Sequence, residues 1–490
     1  MNISMIKYII GYILKLEAGF LIFPLLVSFY FKENASMYKS YFYTITILLF
    51  IGFTFSRKLP KNQKMFAKEG LVTVSLSWIF LSFFGALPFV FSNYIPSLID
   101  AFFETVSGFT TTGASILTNV EALPNSLLFW RSFTHLVGGM GVLVLALAIL
   151  PKSNNRSLHL MKAEVPGPTF GKLVAKMSYN SRILYIIYIL MTILLAIILM
   201  LEGMPFFDSM LHAFGTAGTG GFGIKNTSIA YYNNSLIHYT IGIGMLLFSL
   251  NFNLYYILIL GNIKQFFKSE EMKWFFSIVF LSILLICLNI HSIYDNVFNM
   301  IRDVFFTVAS IVSTTGYSTA DFDRWPLFSK TILLFLMFMG GCAGSTAGGL
   351  KVSRVVILIK NTLKEFKKLG SSNKVVSLKI EGKPITNDLM ESISSYLIVY
   401  ISVFIIILVG ISFSLPNLNT SFSAVAATFN NIGPGFESLG PTQNYSALTD
   451  LNKIILSFSM LLGRLEIFPV LILFSPEIYK NWNKKYKKRK

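Results

Sequence analysis

Acidic side chains are the scarcest chemistry in this 490-residue chain: 23 Asp and Glu stand against 41 Lys and Arg, and charged residues make only 13% of the sequence. A soluble protein needs about a quarter of its residues charged to cover its surface, so a water-soluble fold is excluded. Cysteine is nearly missing. Cys287 and Cys342 both lie in apolar surroundings, which leaves no disulfide framework and no thiolate metal cluster. The five histidines (His135, His159, His212, His238 and His291) are scattered without metal-ligand spacing. The chain therefore reads as no enzyme and as holding no covalently bound cofactor.

What is present is hydrocarbon: 54% of the residues are hydrophobic. Apolar runs of roughly 20 residues recur from end to end, each able to cross a ~30 Å hydrocarbon core. This is the signature of an all-α polytopic membrane protein embedded in a lipid bilayer. No small-residue cleavage site follows the first run, Ile9 to Phe31, which is expected to be a retained helix. The net charge of +18 is gathered in patches: 30 of the 41 Lys and Arg fall in segments 57–69, 152–182, 264–273, 351–392 and 480–490. The positive-inside rule makes these segments cytoplasmic, and both termini with them. The tail KNWNKKYKKRK then serves retention against anionic headgroups or a cytosolic partner, with no nucleic acid involved.

With the basic segments on one side, two helices come first, near 9–31 and 40–56. A pattern then repeats four times: a helix out, a short apolar segment, a Gly-containing polar turn and a helix back. Outward helices are expected near 71–91, 183–201, 274–294 and 393–413, returning ones near 127–150, 236–260, 329–359 and 452–475. The organisation is thus 1–69 for the N-terminal helices and basic loop, then repeats at 70–182, 183–273, 274–392 and 393–490. The third carries an intramembrane loop and a basic segment, the fourth the basic tail. All four repeats start and end on one side, so they are parallel.

The register of the repeat is set by Gly113, Gly221, Gly316 and Gly433. Thirteen positions before each glycine stand Asp100, Asp208, Asp303 and Thr420, all residue types suited to a helix N-cap. The spacing predicts four short re-entrant helices, each ending in a turn. Non-helical backbone at membrane depth survives only where protein buries it or it lines a watery cavity. Four such turns around one axis can aim carbonyl and hydroxyl oxygens at a dehydrated ion. Glycine permits the required backbone angles, and the C-terminal ends of the short helices favour a cation. No ring of Asp or Glu accompanies the turns. A neutral cage of this kind suits a monovalent ion such as K⁺. The plainer alternative is close helix packing by small residues.

The turns TTTGAS, GTGGFG, STTGYS and NNIGPGFE, with FWRSFTHLVGGMGVLVLALAILP and LLGRLEIFPVLILF, resemble the Trk/Ktr/HKT superfamily of potassium transporters over nearly the whole chain. The two additional N-terminal helices resemble its bacterial TrkH branch. The resemblance implies a K⁺-conducting subunit of the bacterial cytoplasmic (inner) membrane, usually a homodimer, regulated by a cytosolic nucleotide-binding ring of the TrkA type. It also implies filter oxygens from Thr111 and Thr112, Thr219 and Gly220, Thr314 and Thr315, and Asn431 and Ile432, each pair preceding its glycine. The second turn departs from the pattern through its additional glycines Gly215, Gly218 and Gly223, which leave its register open by one residue. Channel-like flow and symport would use the same filter. An H⁺- or Na⁺-coupled secondary carrier for another monovalent cation is the alternative.

Two features are expected beneath the filter. MGGCAGSTAGGLKVSR, 339–354, interrupts the third returning helix with Gly340, Gly341, Gly344, Ser345, Thr346, Gly348 and Gly349. It lacks the G-K-[ST] ending of a phosphate loop and reads either as a flexible kink or as a loop that blocks the path. The resemblance implies the latter. Arg464 lies inside the last spanning stretch, where an isolated guanidinium costs at least ~2.5–3.5 kcal/mol. It must either pair internally or line the cavity as a positive barrier. Glu466, two positions on, points elsewhere on a helix and is not its obvious partner.

Overall fold

The computed structural model describes residues 1–63, 65–141, 177–370 and 378–476. Among these, the regular structure is helical apart from one two-stranded hairpin, Lys379–Ile380 with Lys383–Pro384, closed by Glu381 and Gly382 at φ 50° and 73°, and one isolated bridge between Met339 and Leu350. Among the described residues, six helices are long and apolar enough to cross a membrane, or seven if one bent pair is counted as a single span. The molecule is an all-α multi-pass membrane protein.

The N-terminal pair, Ile3–Phe20 continued by Ile22–Tyr30, and Ala35–Ser56, packs through glycine. A Cβ on Gly11 would come within 2.8 Å of the Gly52 carbonyl oxygen, so only a bare backbone lets the two helices approach this closely. The second of these helices buries Tyr41, Thr44 and Leu48 while exposing Phe42, Phe50 and Phe53. An apolar exterior of that size is a membrane-facing surface.

Four units follow. Their long helices are Ala67–Gly85 (extended by Leu87–Phe91), Met177–Leu201, Glu270–Ile290 and Asn387–Ile411. Each leads to a short, largely buried helix: Leu98–Phe109, Phe206–Gly218, Val297–Val312 and Leu418–Phe429.

The expected N-caps are displaced. Ser97, Asn296 and Asn417 cap three of the short helices with their side chains, and Pro205 precedes the remaining one. Asp100, Asp208 and Thr420 sit in the first turn, and Asp303 sits one turn further in. The acids misled because a carboxylate is favourable anywhere in a first helical turn. Their side chains have other partners: Asp100 pairs with Lys453 at 2.6 Å, Asp208 accepts from the Tyr232 hydroxyl at 2.7 Å, and Asp303 pairs with Arg302 at 3.0 Å. Thr420 donates to Glu437 at 3.0 Å.

The returning helices are interrupted. The second bends by 92° between Ser235–Phe248 and Phe252–Ile259, where an unbroken helix over 236–260 was expected. The third stops at Phe338 and resumes at Val352, and the fourth stops at Arg464 and resumes at Phe468. The first is described from Asn125 to Gly139, and its expected continuation to residue 150 lies outside the described residues. So do most of the basic segment 152–182 and the tail 480–490. Carbonyls freed at the 92° bend are taken up by the loop of the third unit. Cys342 N–H donates to Ser249 O at 2.9 Å and Thr346 Oγ1 to Phe248 O at 3.0 Å. Backbone broken at this depth is satisfied by neighbouring backbone.

Candidate functional site

All four short helices end alike. The N–H groups of Thr112, Gly220, Thr315 and Ile432 reach back to the carbonyls of Ser107, Gly215, Ser310 and Ala427 at 2.9, 2.8, 2.9 and 2.8 Å. This is the Schellman closure, in which the preceding residue takes the left-handed conformation usually left to glycine. Here that residue is Thr111, Thr219, Thr314 or Asn431, with φ between 54° and 58°. A left-handed threonine costs roughly 1–3 kcal/mol, and such strain persists only where the surroundings enforce it. Two residues on, Gly113, Gly221, Gly316 and Gly433 are again at positive φ, from 74° to 99°. This pattern fixes the second turn's register at Thr219–Gly220–Gly221. Two of its three additional glycines are explained by packing: a Cβ on Gly215 would strike the Tyr317 hydroxyl, and one on Gly218 the His135 carbonyl.

The four turns close into a ring. A Cβ on Gly113 would overlap the carbonyl oxygen of Gly220. On Gly221 it would overlap that of Thr315, on Gly316 that of Ile432, and on Gly433 it would lie 2.7 Å from that of Thr112. Each glycine thus rests on the carbonyl that precedes the next turn's glycine, from the first turn to the fourth and back. A cavity of about 140 Å³ opens on this ring, lined by all four glycines together with Arg131, Lys225 and Tyr445. Thr111 Oγ1 and Asn431 Oδ1 are buried with no hydrogen-bond donor among the described residues. Oxygens left bare in a buried site are costly unless something polar visits them.

The intramembrane loop lies directly against the third and fourth turns. Its mouth is pinched by Gly340 N–H donating to Leu350 O at 2.8 Å. Its tip reaches the ring, where Gly348 N–H donates to Thr314 Oγ1 at 2.7 Å. A Cβ on Gly348 would come within 3.0 Å of Asn431 Cβ. Arg464 is at the same level. It donates to Thr346 O in the loop and to Gly138 O and Gly139 O of the first unit, each at 2.6 Å. Glu466 pairs instead with Arg354 at 2.5 Å. Lys351 folds back onto the carbonyls of Ala347 and Gly348.

The structure brings together all twelve turn residues, the loop and Arg464. It leaves Asp100, Asp208 and Thr420 at the far ends of their short helices and Asp303 one turn further in, all away from the turns. Sequence reasoning missed the pair behind the first turn, Glu104 with Arg131 at 2.8 Å, both side chains almost wholly buried. Glu104 also accepts from Ser115 Oγ and Ile116 N–H, at 3.0 Å each, and the guanidinium lies 4.0 Å over the Phe222 ring. A charge in each of two apolar runs, AFFETVSGF and FWRSF, was the available signal.

A family model described as a cation transport protein, TrkH, matches residues 36–484. The Trk system potassium uptake protein TrkH of Salmonella typhimurium is 35% identical over 489 residues, covering 98% of this chain and 100% of that protein. TrkG of Escherichia coli, also a Trk system potassium uptake protein, is 34% identical over 97% of this chain and 98% of its own. The crystal structure of the potassium transporter TrkH from Vibrio parahaemolyticus matches with a TM-score of 0.88 at 32% identity, covering 97% of this chain and 99% of that one. Family model, relatives and fold agree over nearly the full length: the chain belongs to the TrkH family of cation transport proteins and is a transporter, not an enzyme.

Proposed function

We propose that the chain takes up K⁺ across a bacterial cytoplasmic membrane, with the four turns as its selectivity filter. The observation that carries this reading is the closed ring, in which each turn's glycine rests on the next turn's carbonyl. Thr112, Gly220, Thr315 and Ile432 then contribute carbonyl oxygens, and Thr111, Thr219, Thr314 and Asn431 contribute the oxygens just behind them. Neutral oxygens replace water around a monovalent ion without holding it too tightly to leave. The short helices end at the ring and add their partial negative charge. The four units correspond to the repeats at 70–182, 183–273, 274–392 and 393–490. They run parallel, with both termini cytoplasmic.

Beneath the filter the loop 340–349 occludes the path, and Arg464 both straps it in place and raises a positive barrier. The basic segment 351–392 offers a surface for a cytosolic nucleotide-binding regulator of the TrkA type, and the assembly is a homodimer. The hydrogen bond from loop to ring supports the gate, while the regulator and the homodimer rest on the resemblance to the Trk superfamily. Reversal potentials of reconstituted protein under K⁺, Na⁺ and pH gradients test the function. A potential that follows K⁺ alone is expected. One that follows Na⁺ equally refutes the filter, and one that shifts with pH identifies a coupled carrier.

A further inference from the structure

We propose that Glu271 is the clamp that holds the intramembrane loop closed, and that the hairpin bearing Glu381 is the lever that acts on the clamp. The proposal rests on the reading of residues 340–349 as the gate. Glu271 is the second residue of the long helix Glu270–Ile290 and is only 6% exposed. Its Oε1 accepts from Ala343 N–H at 2.8 Å and from Ser353 N–H at 3.0 Å. Those two donors flank the loop tip on either side, so one carboxylate oxygen ties the loop's entry to its exit. Ser353 also lies in the first turn of the helix Val352–Gly370, whose unsatisfied N–H groups favour an anion. A charged acceptor shared by two buried N–H groups makes strong bonds. Between the tied ends, the tip places Gly348 N–H on Thr314 Oγ1.

The clamp is itself held from the hairpin. One oxygen of Glu381 accepts from Ser269 Oγ at 2.8 Å, Glu270 N–H at 2.8 Å and Glu271 N–H at 3.1 Å. Lys360, on the helix leaving the loop, donates to Lys379 O in the hairpin at 2.9 Å and pairs with Glu270. The hairpin therefore grips both the helix that carries the clamp and the helix that the clamp restrains. A force on Glu381 is relayed through the Glu270–Glu271 turn to Ala343 and Ser353, and from there to the oxygen ring.

The native thiol Cys342, fully buried beside Ala343, reports on the loop. The full chain in liposomes, with Cys287→Ala to remove the other thiol, is treated with N-ethylmaleimide and the labelling rate of Cys342 is read by mass spectrometry. Glu271→Ala is expected to speed labelling about tenfold or more, as loss of a charge-assisted bond implies. Glu271→Gln, which keeps an acceptor oxygen, should fall between. Glu381→Ala touches no part of the loop and should still speed labelling severalfold. It carries the test alone if Glu271→Ala does not fold. Unchanged labelling in Glu381→Ala together with unchanged labelling in any folded Glu271→Ala overturns the proposal. K⁺ flux measured on the same vesicles separates the two readings. Faster labelling with unaltered flux upholds the clamp and refutes the gate, whereas unaltered labelling beside raised flux in Arg464→Ala refutes the clamp and keeps the gate.

Discussion

Gly316→Ser tests the oxygen ring directly, because the structure supplies its own control. Gly316 has φ 85° and a Cβ there would overlap the Ile432 carbonyl oxygen; Gly203 has φ 95° and nothing within 4 Å. Serine at either position bears the left-handed backbone, roughly 1–2 kcal/mol. At Gly203 that is the whole effect, a lower melting temperature with unaltered ion preference. At Gly316 the Ile432 carbonyl must also move to a normal contact distance, and a displaced ligand no longer fits the ion it was shaped for. A change of about 1.4 kcal/mol in the difference between K⁺ and Na⁺ is a tenfold change in preference. Shifting one carbonyl of four is expected to cost at least that. The assay is the reversal potential of reconstituted protein with K⁺ on one side and Na⁺ on the other. Folded Gly316→Ser protein with the parental K⁺ preference refutes the assignment of the ring as filter, and equal loss of preference in Gly203→Ser refutes the steric argument.

Other outcomes follow from the same contacts. Arg464→Ala removes three hydrogen bonds to carbonyls of the loop and first unit and should raise K⁺ flux with ion preference unchanged; a fall in flux by a folded variant marks a structural role. Arg131→Ala leaves the Glu104 carboxylate buried without its guanidinium, a change of about 3–5 kcal/mol that should appear as a large drop in melting temperature. A soluble nucleotide-binding regulator should co-purify from native membranes, and charge reversal within 351–392 should release it; repeated purification without any such protein counts against the partner.

The parts of this site that were legible in the sequence were those set locally. Four glycines at one register predicted four turns because a left-handed or crowded backbone position excludes other residues, and the structure has that conformation at each. The glycine cluster at 340–349 likewise announced non-helical backbone. The caps were misread because Asp100 and Asp208 satisfy the same dipole that a cap does, three residues inside the true start. The bend at Ser249–Leu250–Asn251 carries no proline or glycine to betray it. Its cause is the loop at 342–346, some ninety residues later, whose donors reward an open carbonyl at Ser249 and Phe248. The clamp Glu271 was equally hidden, since an acid at a helix start is ordinary until its two partners are seen.

Where the strain sits connects the ring to the loop. Thr111, Thr219, Thr314 and Asn431 hold a conformation that an isolated helix end would give to glycine. Glycine there would relieve the backbone but remove an oxygen from each position behind the carbonyl ring. The chain keeps the oxygens and accepts the strain. One of them, Thr314 Oγ1, is occupied by the Gly348 N–H of the loop. In the proposed filter, a loop bonded to this oxygen behind the ring competes with an ion for it, so closure would act on a ligand as well as on the space below. Thr314→Val separates these effects: the tip loses its acceptor while the side-chain volume is kept. If competition for the oxygen matters, the variant gains loop mobility and loses an ion ligand together, so Cys342 labelling rises without a matching rise in K⁺ flux. If the loop acts by bulk alone, labelling and flux rise in step.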